Sequence, residues 1–314
     1  MYINATGFYI PQERVSNDYF FEINGKTDEW IRQRTGIITR SRATQEENVN
    51  TMGLLAVEDA LKSLPYDIRE VDLIVAASYS PHDTVATPAH VVQNKYGIEN
   101  VKAVYISSAC SSFINALEIV ECYFLAGKAK RALIVGAEKN TDYYHPEDPK
   151  SGHLWGDAAA AFFLSKERLT ESDAHIRTIH SEALGNIEGC TTSINMRPIK
   201  GGISMTNGKD VFIRACQTMP KNVLKLLEEN SMTIEEMTYL VPHQANLRIM
   251  HNVAKTLGIT SNQCLQNIEE LGNTGSVSSA LVYAQNAHRY KQGDVIVLTV
   301  FGGGYSTGGC LIVA

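Results

Sequence analysis

Short apolar, β-branched runs recur along this chain of 314 residues, at 71–77, 103–108, 131–137, 159–164, 293–300 and 309–313. Each is short enough to be a strand buried on both faces. Helical periodicity marks the stretches between them, at 51–63, 88–97, 111–126, 211–229, 244–256 and 276–290. Strands alternating with helices predict an α/β fold, its sheets mainly parallel and covered by helices. The stretch SSFINALEIVECYFLAG after Cys110 is apolar nearly all round. Its helix is therefore expected at the centre of the molecule.

The pattern also repeats. IREVDLIVAAS at 68–78 resembles IEEMTYLVPHQ at 234–244, and DALKSL at 59–64 resembles NVLKLL at 222–227. ACSSFINAL from Ala109 lines up with GSVSSALVY from Gly275, and RALIVGAE at 131–138 with DVIVLTVF at 294–301. The offset is 163 or 166 residues each time. Four matches in one order at nearly constant spacing predict two duplicated halves, 1–170 and 171–314, meeting at the polar stretch 165–175. Each half is expected to supply a sheet, and the two sheets to pack around shared helices.

Composition narrows the function. Hydrophobic residues at 44% and charged residues at 20% are ordinary for a globular chain. A formal net charge of -6 argues against nucleic acid as a partner, so any anionic partner must meet a local basic patch. The opening MYINATGFYIPQERVSND lacks the basic and apolar regions of a secretory signal, and no apolar run approaches the ~18 residues of a membrane span. The six cysteines (Cys110, Cys122, Cys190, Cys216, Cys264, Cys310) are scattered, without a CxxC pair. That pattern fits neither a disulfide scaffold nor a metal site and points to reduced thiols in the cytoplasm. No cofactor is called for.

Cys110 follows the strand-like AVYISSA and opens the buried helix. A thiol at a helix N-terminus is expected to have its pKa lowered from ~8.5 towards neutrality, which makes it a nucleophile; the plain alternative is a small buried cap. His243 in VPHQAN and Asn273 in LGNTGSVSSA each precede a predicted helix of the second half. The repeat gives Cys110 and Asn273 nearly equivalent positions, so a pseudo-two-fold axis would bring both to one cleft with His243. An imidazole and an amide there would donate to a thioester carbonyl as it becomes an enolate. Taken singly, His243 reads as a surface or capping residue and Asn273 as part of a turn. FGGGYSTGG at 301–309 contains a GxSxG pattern, but neither a helix nor a histidine follows it, so a hydrolase elbow is excluded. Its three glycines suit a loop that presents backbone N–H groups to a ligand.

The pieces TDEWIRQRTGI (27–37), ACSSF (109–113), WGDAAAA (155–161), PHQANLRI (242–249), GNTGS (272–276) and FGGG (301–304) resemble ketoacyl-acyl-carrier-protein synthase III over essentially the whole chain. The resemblance implies a thiolase-like αβαβα homodimer that runs a decarboxylative Claisen condensation, initiating fatty-acid-type synthesis. Cys110 would take an acyl group from acyl-CoA, with the N–H groups of Cys110 and Gly303 as oxyanion hole. His243 and Asn273 would bind the thioester carbonyl of malonyl-acyl carrier protein. By the same resemblance Trp30 would stack on the CoA adenine, Arg34 contact its phosphates and Phe212 line the pantetheine tunnel. Arg248 and Lys255 would meet the carrier protein, and Lys150 would stand in for a CoA-binding arginine. Thr87 and Thr307 occupy places where the family often has bulky residues near the acyl pocket, which predicts a primer larger than acetyl. The alternatives are a synthase of secondary metabolism with another primer or acceptor, and a non-catalytic partner subunit.

Overall fold

Burial on both faces explains why the apolar runs carry no polar side. The computed structural model describes residues 1–199 and 201–314. The first half runs β1 (Tyr2–Tyr9), β2 (Glu13–Ser16), α1 (Asn17–Asn24), α2 (Asp28–Thr35), β3 (Thr39–Arg42), α3 (Val49–Leu61) and β4 (Leu73–Ala77). It continues through α4 (Pro88–Tyr96), β5 (Lys102–Ile106), α5 (Ser112–Leu125), β6 (Arg131–Lys139) and β7 (Asp157–Ser165). The second runs β8 (Ala174–Ala183), β9 (Ile194–Arg197), β10 (Gly202–Met205), α6 (Gly208–Glu229), β11 (Met237–Pro242) and α7 (Leu247–Leu257). It ends with α8 (Ile268–Leu271), α9 (Ser278–Gln285), β12 (Val295–Phe301) and β13 (Ser306–Val313).

Nine strands form one ladder in the order β11-β12-β13-β8-β1-β7-β6-β4-β5. Read outward from β1 and β8, the two halves follow the same plan. β4 is parallel to β5 and β6, and β11 is parallel to β12. β7 and β13 run antiparallel to both neighbours. A single parallel bridge from Leu240 to Cys264 stands where β5 stands in the first half. The expected pair of separate sheets needs correction: the halves join through Tyr2–His175 and Ile3–Ala174. After pairing with β7 and β13, β1 and β8 each keep a free edge, and the two edges satisfy one another.

Alternation along the strands assigns the layers. Leu73, Val75 and Ala77 of β4 pack with Phe113 and Leu117 of α5 and Leu281 of α9, and so do Ile296, Leu298 and Val300 of β12. Ile74 and Ala76 turn instead to Met52, Val57 and Ala89 of α3 and α4. Val295 and Val297 turn to Met219, Val223, Ile249 and Val253 of α6 and α7. The order is helices, half-sheet, central helices, half-sheet, helices. Phe113, Ile114, Ala116 and Leu117 of α5 are fully buried, as the all-round apolar pattern requires. A side chain such as Leu117 contributes ~1.5–3 kcal/mol when removed from water, so the shared centre binds the halves strongly. Among the described residues, no helix is long and apolar enough to cross a membrane.

Candidate active site

Between β5 and α5 the chain turns sharply through Ala109, whose φ of 48° lies in the left-handed region. That conformation costs a residue with a Cβ roughly 1–2 kcal/mol. Serines hold it in place. Ser108 N donates to Ser112 Oγ at 2.8 Å, Ser112 Oγ to Ala109 O at 2.6 Å, and Ser111 Oγ to Ser108 O at 2.8 Å. The turn delivers Cys110 to the floor of a cavity of about 450 Å³.

The N–H groups of Gly303 and of Cys110 itself are directed at Sγ. Gly302 permits this approach, since a Cβ there would lie 2.5 Å from Cys110 Cβ and 2.9 Å from its Sγ. The expected lowering of the thiol pKa is not what the site produces. Burial, with the Glu138 carboxylate adding to it, pushes Cys110 up to about 12. The two amides pull the other way without prevailing. The nucleophile is therefore a thiol at neutral pH.

His243 lies just beyond β11, its backbone N–H donating to Thr299 O at 2.9 Å. Ring Nδ1 is 2.6 Å from Ser278 Oγ, which also accepts the Gln244 N–H at 3.2 Å. A Ser278 hydroxyl that donates to Nδ1 leaves Nε2 as the protonated, donating nitrogen. Burial holds the ring near pKa 4, so it is neutral at physiological pH. Asn273 is fixed by its N–H to Leu154 O at 2.9 Å and by Gly275 N–H to its Oδ1 at 2.9 Å. Its Nδ2 has no hydrogen-bond partner among the described residues and is free to donate. Cys110, His243 and Asn273 line the same cavity.

Of the other expected residues, Phe212 and Gly303 line the cavity, together with Trp155, Ile194, Met196 and Met205. Trp30, Arg34, Lys150, Arg248 and Lys255 do not. Trp30 sits under Lys26 Nζ, 4.4 Å from the ring centroid, with the Arg34 guanidinium at 5.4 Å. Arg34 belongs to the rim, because its carbonyl accepts from Asn246, a lining residue, at 3.0 Å. Arg248 is exposed and its guanidinium lies 5.7 Å from the Phe212 ring. Lys255, two turns further along α7, faces a separate groove with His251. Lys150 is exposed, its N–H bonded to Asp148. Thr87 caps α4 with its Oγ1 3.0 Å from His90 Nδ1, and Thr307 Oγ1 donates to Val300 O. Neither threonine lines the cavity within one chain, so Thr307 adds nothing to its volume, while the place of Thr87 was expected to act on the pocket of a second copy.

Glu138 escaped the sequence reading. It ends β6 fully buried and accepts from Ser78 Oγ, Tyr79 N, Ser80 N and the Ser276 hydroxyl. Burial raises it to about 7. A lone acid closing the apolar run RALIVGAE was the available signal. Ser278 offered none.

Models of 3-oxoacyl-[acyl-carrier-protein (ACP)] synthase III match residues 105–185, and the C-terminal model of the same enzyme matches 227–314. A beta-ketoacyl-[acyl-carrier-protein] synthase III of Clostridium perfringens is 34% identical, covering 98% of this chain and 97% of its own. One of Methylococcus capsulatus is 33% identical over 99% and 98%. The crystal structure of 3-oxoacyl-[acyl-carrier-protein] synthase III from Aquifex aeolicus superposes with a TM-score of 0.92 at 32% identity, over 100% and 99% of the two chains. The priming beta-ketosynthase of the R1128 polyketide pathway gives 0.88 at 29%, over 99% and 95%. Fold and site together define a condensing acyltransferase of the thiolase-like class. Within that class the chain belongs to the beta-ketoacyl-[acyl-carrier-protein] synthase III family.

Proposed function

We propose that this enzyme condenses an acyl-CoA primer with malonyl-acyl carrier protein through an acyl group on Cys110, and so initiates fatty-acid-type synthesis. The observation that carries the reading is the convergence of Cys110, His243, Asn273 and the Gly303 amide on one cavity. Sγ of Cys110 attacks the primer carbonyl, and the oxyanion takes hydrogen bonds from the Cys110 and Gly303 N–H groups. The carbon–sulfur bond to CoA breaks, and the Cys110 proton ends on the CoA thiol. His243 Nε2 and Asn273 Nδ2 then receive the carbonyl of the malonyl thioester. Loss of CO₂ leaves an enolate whose carbon attacks the acyl-Cys110 carbonyl. Cys110 is expelled as thiolate and takes up a proton, and a ketoacyl thioester leaves on the carrier protein.

The remaining assignments extend that reading. Trp30 and Arg34 at the rim serve the nucleotide end of CoA, with Lys150 beside them. Phe212 lines the pantetheine path, and Arg248 and Lys255 on α7 receive the acidic carrier protein. A second copy of the chain is the partner best suited to β5. Among the described residues that strand pairs only with β4 and leaves Ala103, Val104, Tyr105 and Ile106 half-buried at an open edge. Ser107 and Ser108, immediately after it, line the cavity. Six free thiols support the cytoplasm as compartment. The resemblance to the R1128 priming ketosynthase favours a second reading, in which the primer belongs to secondary metabolism. Intact mass after incubation with a panel of acyl-CoAs tests both. Acylation confined to Cys110 is expected, its chain-length preference separates the readings, and an acyl group on another cysteine defeats the mechanism.

A further inference from the structure

Tyr305 is an unexpected occupant of the glycine loop. It follows Gly304 in the turn between β12 and β13, and both residues have positive φ, 52° for Tyr305 and 65° for Gly304. Glycine and asparagine suit such positions, and a residue bearing a ring meets a steric penalty there. The side chain is nonetheless fully buried. Its ring lies 5.6 Å from that of Phe301, with the Arg214 guanidinium 5.2 Å from its centroid. The hydroxyl donates to the Asp210 carboxylate and stands 2.9 Å from Ser193 Oγ. Arg214 Nε donates to the same Asp210 oxygen at 2.8 Å.

Each partner belongs to a different wall. Asp210 lies in the first turn of α6, whose Val211 and Phe212 line the cavity. Ser193 directly precedes the β9–β10 hairpin, whose Ile194, Met196 and Met205 line it from another side. Two residues back along the chain is Gly303, whose N–H reaches Cys110 Sγ. One hydroxyl therefore ties both walls to the oxyanion turn.

We propose that Tyr305 is a positioning residue for acyl transfer to Cys110, its hydroxyl latching the oxyanion turn to the two walls that enclose the acyl thioester. This rests on the reading that Cys110 is acylated from acyl-CoA. A turn held in a disfavoured conformation persists only where its surroundings over-determine it, and a hydroxyl donating to a carboxylate is a strong restraint. The malonyl half-reaction depends on other anchors: Ser278 holds His243, and Leu154 and Gly275 hold Asn273. Tyr305 touches none of them through a hydrogen bond. The latch thus serves the first half-reaction and not the second.

The test compares the full chain with Tyr305→Phe, which removes the hydroxyl and keeps the ring. Single-turnover acylation by acyl-CoA is followed by quenched intact mass, and CO₂ release from malonyl-carrier protein is followed without primer. Acylation is expected to slow about tenfold, less than a displacement of about 1 Å at a reacting centre is able to cost. CO₂ release should stay within about twofold of the parent. Asp210→Ala, which also releases Arg214, should slow acylation at least as much, and adding Tyr305→Phe to it should cost little more, since both remove the Tyr305–Asp210 contact. Unchanged acylation overturns the proposal. Equal losses in both half-reactions also overturn it, because they assign the hydroxyl a general structural role. A parent chain that takes no acyl group on Cys110 removes the functional reading itself, and shows this before any variant is made.

Discussion

His243 and Ser278 stand 2.6 Å apart, ring Nδ1 to Oγ, although one follows β11 and the other opens α9. A serine hydroxyl donating to Nδ1 selects the tautomer protonated at Nε2. His243→Ala should slow malonyl decarboxylation roughly a hundredfold, the loss typical of one oxyanion donor. Ser278→Ala should slow it by about tenfold, since the ring survives without a fixed tautomer. Self-acylation of Cys110, measured by intact mass, should change little in either variant.

The buried thiol makes a prediction about pH. With Cys110 pushed up to about 12, its alkylation by iodoacetamide should quicken close to tenfold per pH unit between about 8 and 10. Cys122, exposed on α5, should react first near neutrality. A plateau for Cys110 below pH 8 would show a preformed thiolate and contradict the site described above.

Four buried groups carry large pH-dependent shares of stability, with Glu121 raised and His175 lowered in the same senses, both chiefly by burial. Glu138 is raised to about 7 and Asp157 to about 6, both chiefly by burial, so each binds its proton more tightly folded than unfolded. Their share of stability is greatest at low pH and is lost as pH rises through about 4 to 7. His243 and His153 are lowered to about 4, again chiefly by burial, so the unfolded chain binds more protons and their share is lost as pH falls from 6.5 to 4. The two trends oppose each other, and urea denaturation of the parent should give nearly constant stability from pH 4.5 to 7. Glu138→Gln removes one of the two acids on that side of the balance and leaves Asp157. The variant's stability should rise by about 3 kcal/mol across that window.

Thr307 separates packing from specificity. Its Oγ1 donates to Val300 O at 2.7 Å and accepts from Asn222 Nδ2 at 2.8 Å, outside the cavity wall. Thr307→Val should cost about 1–3 kcal/mol in denaturant unfolding, because buried polar partners are left unpaired. The ratio of kcat/KM for octanoyl- and acetyl-CoA should not move. A change in that ratio would restore Thr307 to the acyl pocket.

Arg248 is exposed at the first turn of α7, beside the cavity-lining Phe212. Arg248→Glu should raise KM for malonyl-carrier protein and leave acyl-CoA use alone. The parent's affinity for the carrier should weaken with salt, as exposed charges are screened beyond about 8–10 Å at 0.10–0.15 M. Equal losses for both substrates would indicate damage to the fold.

Strands buried on both faces were legible because they are almost wholly apolar, as in Leu73–Ala77 and in Val295–Phe301, where Thr299 is the one polar residue. So was α5, and the repeat aligns α5 with α9 and β4 with β11. β1 and β8 were missed, since YINATGFY and AHIRTIHSEA mix polar with apolar residues at a junction where each strand meets two neighbours. The β9–β10 hairpin was missed too, because its strands are only four residues long and their apolar residues line a cavity. The meeting of Cys110, His243 and Asn273 at one cavity was legible in the helix starts and the repeat. The charge state of Cys110 was not, because it depends on Glu138 and on burial by segments far away in sequence.

The junction of β1 with β8 has a consequence for how the chain is made. Residues 2 and 3 find their second partners at His175 and Ala174, and Ile176 N–H donates to the Met1 carbonyl at 2.8 Å. During synthesis the first strand must wait with one edge bare until more than half the polypeptide has emerged. α5 must wait still longer, for β13 and α9, before its far side is covered. The duplication is therefore a symmetry of the finished molecule and not a division of labour in folding. A fragment ending near residue 170 should expose the apolar flank of α5 and aggregate, instead of surviving as half an enzyme.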